Sequence, residues 1–136
     1  MGEKIKAVMV YDQRDPSEAL KNVLLRLGVA VRHIRNCYEA SRHFRESSGT
    51  ELVFTNKNLS DGTWEDILRL AQRSNSFLPV VVVSRLLDTD LCLKALESGA
   101  FNFITPPFLS IDVANVTGSA MYQKLVSRNL QPAYIA

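Results

Sequence analysis

The chain has 136 residues, 46% of them hydrophobic and 22% charged, and a formal net charge of +2. Length and balance fit one globular domain with one core, and so weak and scattered a positive charge gives no reason to expect a nucleic-acid or membrane surface. No apolar run approaches the roughly 20 residues of a membrane span, no apolar signal segment follows Met1-Gly-Glu-Lys-Ile-Lys, and Cys37 and Cys92 lack the spacing of a metal or redox pair, so a reduced, cytoplasmic protein is expected.

Lys6 to Tyr11 is a short apolar run of strand character. Asp15-Pro16 predicts an N-cap followed by proline at the first helical position. Leu20, Val23, Leu24 and Leu27 then repeat on one helical face, which Gly28 closes. Val29 to Ile34 alternates and carries Arg32 and His33, the pattern of a sheet edge. A second helix is expected from about Tyr38 to Arg45, with Ala40 and Phe44 inward, and a third strand over Glu51 to Thr55. Asp61-Gly62 marks a turn, after which Trp64, Ile67, Leu68 and Ala71 define a third helix. Leu78 to Val83 is continuous and β-branched, as a strand covered on both faces should be. Asp88 to Ser98 predicts a fourth helix ended by Gly99, Phe101 to Thr105 a fifth strand, and Ser110 to about Arg128 a last helix that Gly118 weakens. The whole of 1–136 thus reads as one domain with an ordered core of about 6–128. Gln131 to Ala136 reads either as a terminus or as the start of a linker.

Strict alternation of strand and helix argues for a parallel sheet with helices on both faces. In such sheets ligands and chemistry gather beyond the carboxyl ends of the strands. The residues to weigh are therefore Tyr11-Asp12, Asn56, Ser84-Arg85 and Pro106-Pro107.

Five stretches in order carry a resemblance to a known family: Val10-Tyr11-Asp12; Glu51-Leu-Val-Phe-Thr-Asn56 with Asp61-Gly62 after it; Pro79-Val-Val-Val-Val-Ser84; Ala95-Leu-Glu-Ser-Gly-Ala100-Phe-Asn-Phe-Ile-Thr; and Thr105-Pro106-Pro107-Phe108. From Lys6 to about Leu125 the chain resembles the CheY-like receiver domain of two-component response regulators. The resemblance implies a flavodoxin-like (βα)5 three-layer sandwich with parallel strand order 2-1-3-4-5. It implies an acidic pocket at Tyr11 and Asp12, a phosphoacceptor position at Asn56 and a switch hydroxyl at Ser84. It also implies a switch aromatic at Phe103, a lysine position at Pro106 and a cis bond before Pro107.

The departures are chemical. An amide at Asn56 is neutral and a very poor nucleophile, so no acyl phosphate is expected there. Tyr11 stands where the family has an acid, and Pro106 stands where a lysine would pair with phosphoryl oxygens. Magnesium wants one or two carboxylates plus substrate phosphate; Asp12 alone is a weak candidate ligand, so no metal or other cofactor is expected. Arg85 either covers the pocket and pairs with Asp12, fixing one state without phosphate, or rests in solvent. Asp61 reads as a plain turn residue and Asn56 as a loop residue bonded to its own backbone. His33 and His43 are isolated.

The expected function is that of a receiver-like signalling module in a two-component or phosphorelay system. It is not an enzyme but a phosphorylation-independent pseudo-receiver acting through a protein partner or homodimer on the face of the fourth helix, fifth strand and fifth helix. Lys94 is the expected charged marker of that face, and an output domain in a longer chain fits the family. The alternatives are a phosphoacceptor using Asp61, or a small phosphate- or flavin-binding enzyme. Against the enzyme, the loop after the first strand has no glycine-rich cradle.

Overall fold

The computed structural model describes residues 4–135, with side chains described for 4–127; Met1 to Glu3 and Ala136 lie outside the described residues. Five strands, β1 (Lys6–Val10), β2 (Ala30–Ile34), β3 (Leu52–Asn56), β6 (Val80–Val83) and β7 (Asn102–Ile104), form one parallel sheet in the order β2-β1-β3-β6-β7. This is the expected 2-1-3-4-5 order. The two remaining strands, β4 (Asn58–Leu59) and β5 (Gly62–Thr63), make a small antiparallel hairpin around Ser60-Asp61, so the turn expected at Asp61-Gly62 is flanked by paired strands.

The helices are α1 (Ser17–Arg26), α2 (Cys37–Glu46), α3 (Trp64–Ser74), α4 (Thr89–Glu97) and α5 (Ser110–Ile135). Strand alternation sends Val8, Val10, Val53, Val80 and Val82 toward α2, α3 and α4, where they meet Ala40, Phe44, Trp64, Ile67, Leu68 and Ala95. Ala7, Met9, Leu52, Phe54, Val81 and Val83 point the other way, onto Leu20, Val23, Leu24, Val113 and Ala120 of α1 and α5. Three layers result, with a buried core on each side of the sheet.

Gly28 and Gly99 follow α1 and α4 at φ +85° and +109°, the left-handed geometry that ends a helix most cheaply with glycine. Two expectations about helix ends need correction. α1 begins at Ser17, not at Pro16, and has no side-chain cap, because its N-cap residue is Pro16, whose side chain has no acceptor. α5 continues to Ile135, past the expected end near Arg128 and through Gln131. Its buried residues Val113, Thr117 and Ala120 keep helical spacing but are small or polar, and the Thr117 hydroxyl donates to Val113 C=O at 2.8 Å. That face carries too weak an apolar signal for periodicity to place its end.

Candidate functional site

The site lies where the strands end. β3 delivers Asn56 as its last residue, hydrogen-bonded into the sheet through its pairing with Val83 and 6% exposed. Its side chain turns away from its own backbone, contrary to expectation. The Ser17 hydroxyl donates to Asn56 Oδ1, and Asn56 Nδ2 donates to Gln13 C=O at 3.3 Å. One amide thus joins β3 to the β1–α1 loop and to the first residue of α1. A buried donor-acceptor group with both ends used is a structural cross-link.

Tyr11 is also corrected. It continues the inward-facing series Ala7, Met9 and is 1% exposed. Its hydroxyl donates to Glu18 Oε2 at 2.7 Å, and its ring stacks on His33 with centroids 3.9 Å apart. His33 Nε2 lies 2.7 Å from Tyr11 C=O. Burial, and then the Glu18 carboxylate, push the phenol well above its ordinary range, while the Tyr11 hydroxyl holds Glu18 below its own. Tyr11 is therefore a tie between β1, α1 and β2, and His33 is not isolated. The sequence held a signal for this pair. In adjacent parallel strands of this register, His33 lies opposite Met9, so it shares a face with Tyr11.

Asp12 is exposed in the bend after β1. Arg85, the first residue past Ser84, does reach across the strand ends, but to a different acid: its guanidinium meets Asp15 Oδ2 at 2.6 Å. Both side chains are about two-thirds exposed, at 67% and 68%, so the pair is a surface contact of small energy. It connects the β6–α4 loop to the β1–α1 loop. Ser84 is half-buried, and its N–H donates to Ile104 C=O at 3.1 Å.

Phe103 is 8% exposed and packs in the cluster containing Val82, Leu91 and Ala95. Alternation along β7 turns it under α4, while Ile104 packs on the α5 side. It supports the expected interaction face from beneath and is not on its surface. Pro106 is exposed, and the Pro106–Pro107 bond is cis, as expected; Asp15–Pro16 is a second cis bond, not foreseen.

Asp61 does more than turn the chain. Its two carboxylate oxygens accept from the N–H groups of Cys37 and Tyr38, at 2.8 and 3.0 Å. These are free donors at the start of α2. Slight burial acts to raise the Asp61 carboxyl, but those two amides outweigh it and hold the group below its ordinary value. The neighbouring Cys37 thiol is pushed up to about 12, first by burial and then by Asp61, so it stays protonated and unreactive at neutral pH. Among the described residues no three His, Cys, Asp or Glu side chains converge as metal ligands would.

No family model matches the chain. The response regulator protein PilR of Pseudomonas aeruginosa is 32% identical over 102 residues, 75% of this chain. The chain spans only 23% of that protein's length. A response regulator receiver domain protein from Clostridium thermocellum superposes with a TM-score of 0.78 at 22% identity, covering 89% of this chain and 97% of that one. NtrX from Brucella abortus, in complex with ADP, superposes with a TM-score of 0.84 at 21% identity, over 95% of this chain and 30% of that one. This is a CheY-like receiver domain of the two-component type. Asn56 is the last residue of β3, and Pro106 follows β7, the last strand of the sheet. No helix of the described residues is long and apolar enough to cross a membrane.

Proposed function

We propose that this receiver domain works without phosphorylation, as a pseudo-receiver that signals by protein contact. The observation that carries the reading is the Asn56 amide, neutral and buried, with its oxygen bonded to Ser17 and its nitrogen to Gln13. A phosphoacceptor needs a carboxylate nucleophile open to the donor, and a cation to take up charge on the transferred group. Asn56 supplies neither charge nor access, and Pro106 supplies no cation. Magnesium fits the donor set poorly. Asp15 is taken by Arg85, Asn56 by its two partners, and Asp12 is left as one carboxylate. Asp61 is a poor substitute acceptor, because its oxygens are occupied at the start of α2.

The tie from Arg85 to Asp15 and the tie from Asn56 to Ser17 join the loops that a phosphoryl group would otherwise have to bring together. Of the two, only the exposed Arg85–Asp15 contact reaches the β6–α4 loop, and its energy is small. Past Arg85, Leu86 and Leu87 are 72% and 75% exposed, and Leu93, Leu96, Leu109 and Ile111 are exposed along α4 and the start of α5. Exposed leucines so concentrated suit a protein partner or a second copy. Lys94 is a poor marker of this face, since it pairs with Glu65 of α3 at 3.6 Å; Leu93 is the better probe. Leu93→Asp should weaken association measured by analytical ultracentrifugation, and Lys21→Glu on α1 should leave it unchanged. By analogy with the full-length relatives, an output domain elsewhere in a longer chain fits this role.

Incubation with acetyl phosphate and magnesium, followed by intact-mass measurement, tests the reading. No phosphoryl adduct is expected on the natural chain, and little stable adduct on Asn56→Asp, which still lacks a cation at position 106. A stoichiometric adduct on the natural chain overturns the proposal.

A further inference from the structure

α5 has two faces. Val113, Thr117 and Ala120 turn inward and are buried. On the other side Ile111, Asn115, Gly118, Tyr122 and Leu125 follow one another at alternating steps of four and three residues, and all are exposed. That spacing sets them in one line along the helix. Ile111, Tyr122 and Leu125 keep 65%, 70% and 57% of their surface in water. A helix that is apolar on more than one face is normally covered on each of them, and within this chain α5 is covered only on the inner one.

The outer line has relief. Gly118 has nothing within 4 Å of the place where a Cβ would stand. A hollow of about 550 Å³ opens over it, lined by Asn115, Gly118, Ser119, Tyr122, Gln123 and Val126. One turn beyond Gly118, the exposed Tyr122 ring forms the wall of that hollow. Knob and hollow therefore lie side by side on one surface. None of the lining residues is Asp, Glu, Lys or Arg, so two such surfaces can meet without setting like charges together. Asn115, Ser119 and Gln123 each carry donor and acceptor groups, which an identical surface can satisfy.

We infer that two copies of this chain pair through α5, with Tyr122 of each filling the hollow over Gly118 of the other. The shape names the occupant. A two-fold contact sets one patch against the same patch of the second copy, and only a patch that holds both knob and hollow fills itself in that way. A charged partner helix would instead bury its charges against an uncharged hollow, at a cost in desolvation. The missing side chain at Gly118 also lets the two helix axes come closer than the usual separation of about 8–10 Å. The inference rests on the protein contact proposed above and names a second copy as its partner on α5; it does not require Asn56 to be inert.

Sedimentation equilibrium of the full chain over a concentration series tests it, with an amide spectrum of every variant to check the fold. A monomer–dimer equilibrium is expected, and the shift changes on dilution should centre on Gly118 and Tyr122. Gly118→Glu fills the hollow but replaces a poor helix former, so the monomer should stay folded at least as stably while the dimer weakens about tenfold or more. Tyr122→Asp should weaken it to a similar extent, and Arg73→Glu on α3 should leave it unchanged. A chain that stays monomeric throughout, or a dimer indifferent to Gly118→Glu and Tyr122→Asp, overturns the inference. A dimer lost in Leu93→Asp but kept in Tyr122→Asp places the contact on α4, which overturns this inference and leaves the proposed function standing. A stoichiometric phosphoryl adduct on a chain that still dimerises through Tyr122 overturns the proposed function and supports this inference.

Discussion

Two neighbouring stretches of β3 differ in what they preserve. Leu52, Val53 and Phe54 are 0–1% exposed and fill both cores of the receiver sheet. Two residues beyond Phe54, Asn56 ends the strand and is bonded through its side chain to Ser17 and Gln13. The interior is held by apolar packing on both faces of the sheet, while the rim is held by polar cross-links. Fold and chemistry here depend on different residues, so the rim can change its task without disturbing the layers beneath it.

Substitutions ranked by expected cost sharpen that contrast. Phe54→Ala should cost about 3–5 kcal/mol, the usual penalty for a large cavity in a close-packed core, and chemical denaturation should show the loss directly. Ser17→Val leaves one end of the buried Asn56 amide unpaired and should cost about 1–3 kcal/mol. If the rim were merely decorative, that variant would denature like the natural chain. Asp61→Ala removes the acceptor at the start of α2, with an expected cost of about 1 kcal/mol, comparable to a lost N-cap. Because the Cys37 and Tyr38 amides hold the Asp61 carboxyl low, its contribution is complete above the ordinary value of about 3.9. It fades as pH falls through the lower folded value. The gap between Asp61→Ala and the natural chain should therefore close in acid. Arg85→Ala should change stability by about 0.5 kcal/mol or less, since the pair with Asp15 is exposed. Its effect belongs in the mobility of the β6–α4 loop, read by amide relaxation.

Much of the architecture was legible in the sequence because burial on both faces leaves unbroken apolar runs such as Val80–Val83, and helices such as α3 carry a full apolar stripe. The end of α5 was not, since a helix with Thr117, Gly118 and Ala120 on and beside its buried face has little periodic contrast. At the site, the identities of Asn56, Arg85 and Pro106 drew attention to the strand ends, but did not show their partners. Asp12 and Asp15 are both acids on one loop, and only the path of that loop decides which of them meets Arg85. Long-range ties such as Ser17 to Asn56 or Asp61 to Cys37 have no local pattern for a sequence to display. Tyr11 with His33 is the intermediate case, readable once strand adjacency is accepted.

The most direct trial of the proposal that this receiver works without phosphorylation is an amide-resolved NMR spectrum recorded before and after addition of acetyl phosphate with magnesium. The account predicts that the resonances of Ser84, Arg85, Leu86 and Phe103 stay where they are. A second set of resonances for these residues, growing in step with a phosphoryl mass adduct, would contradict it.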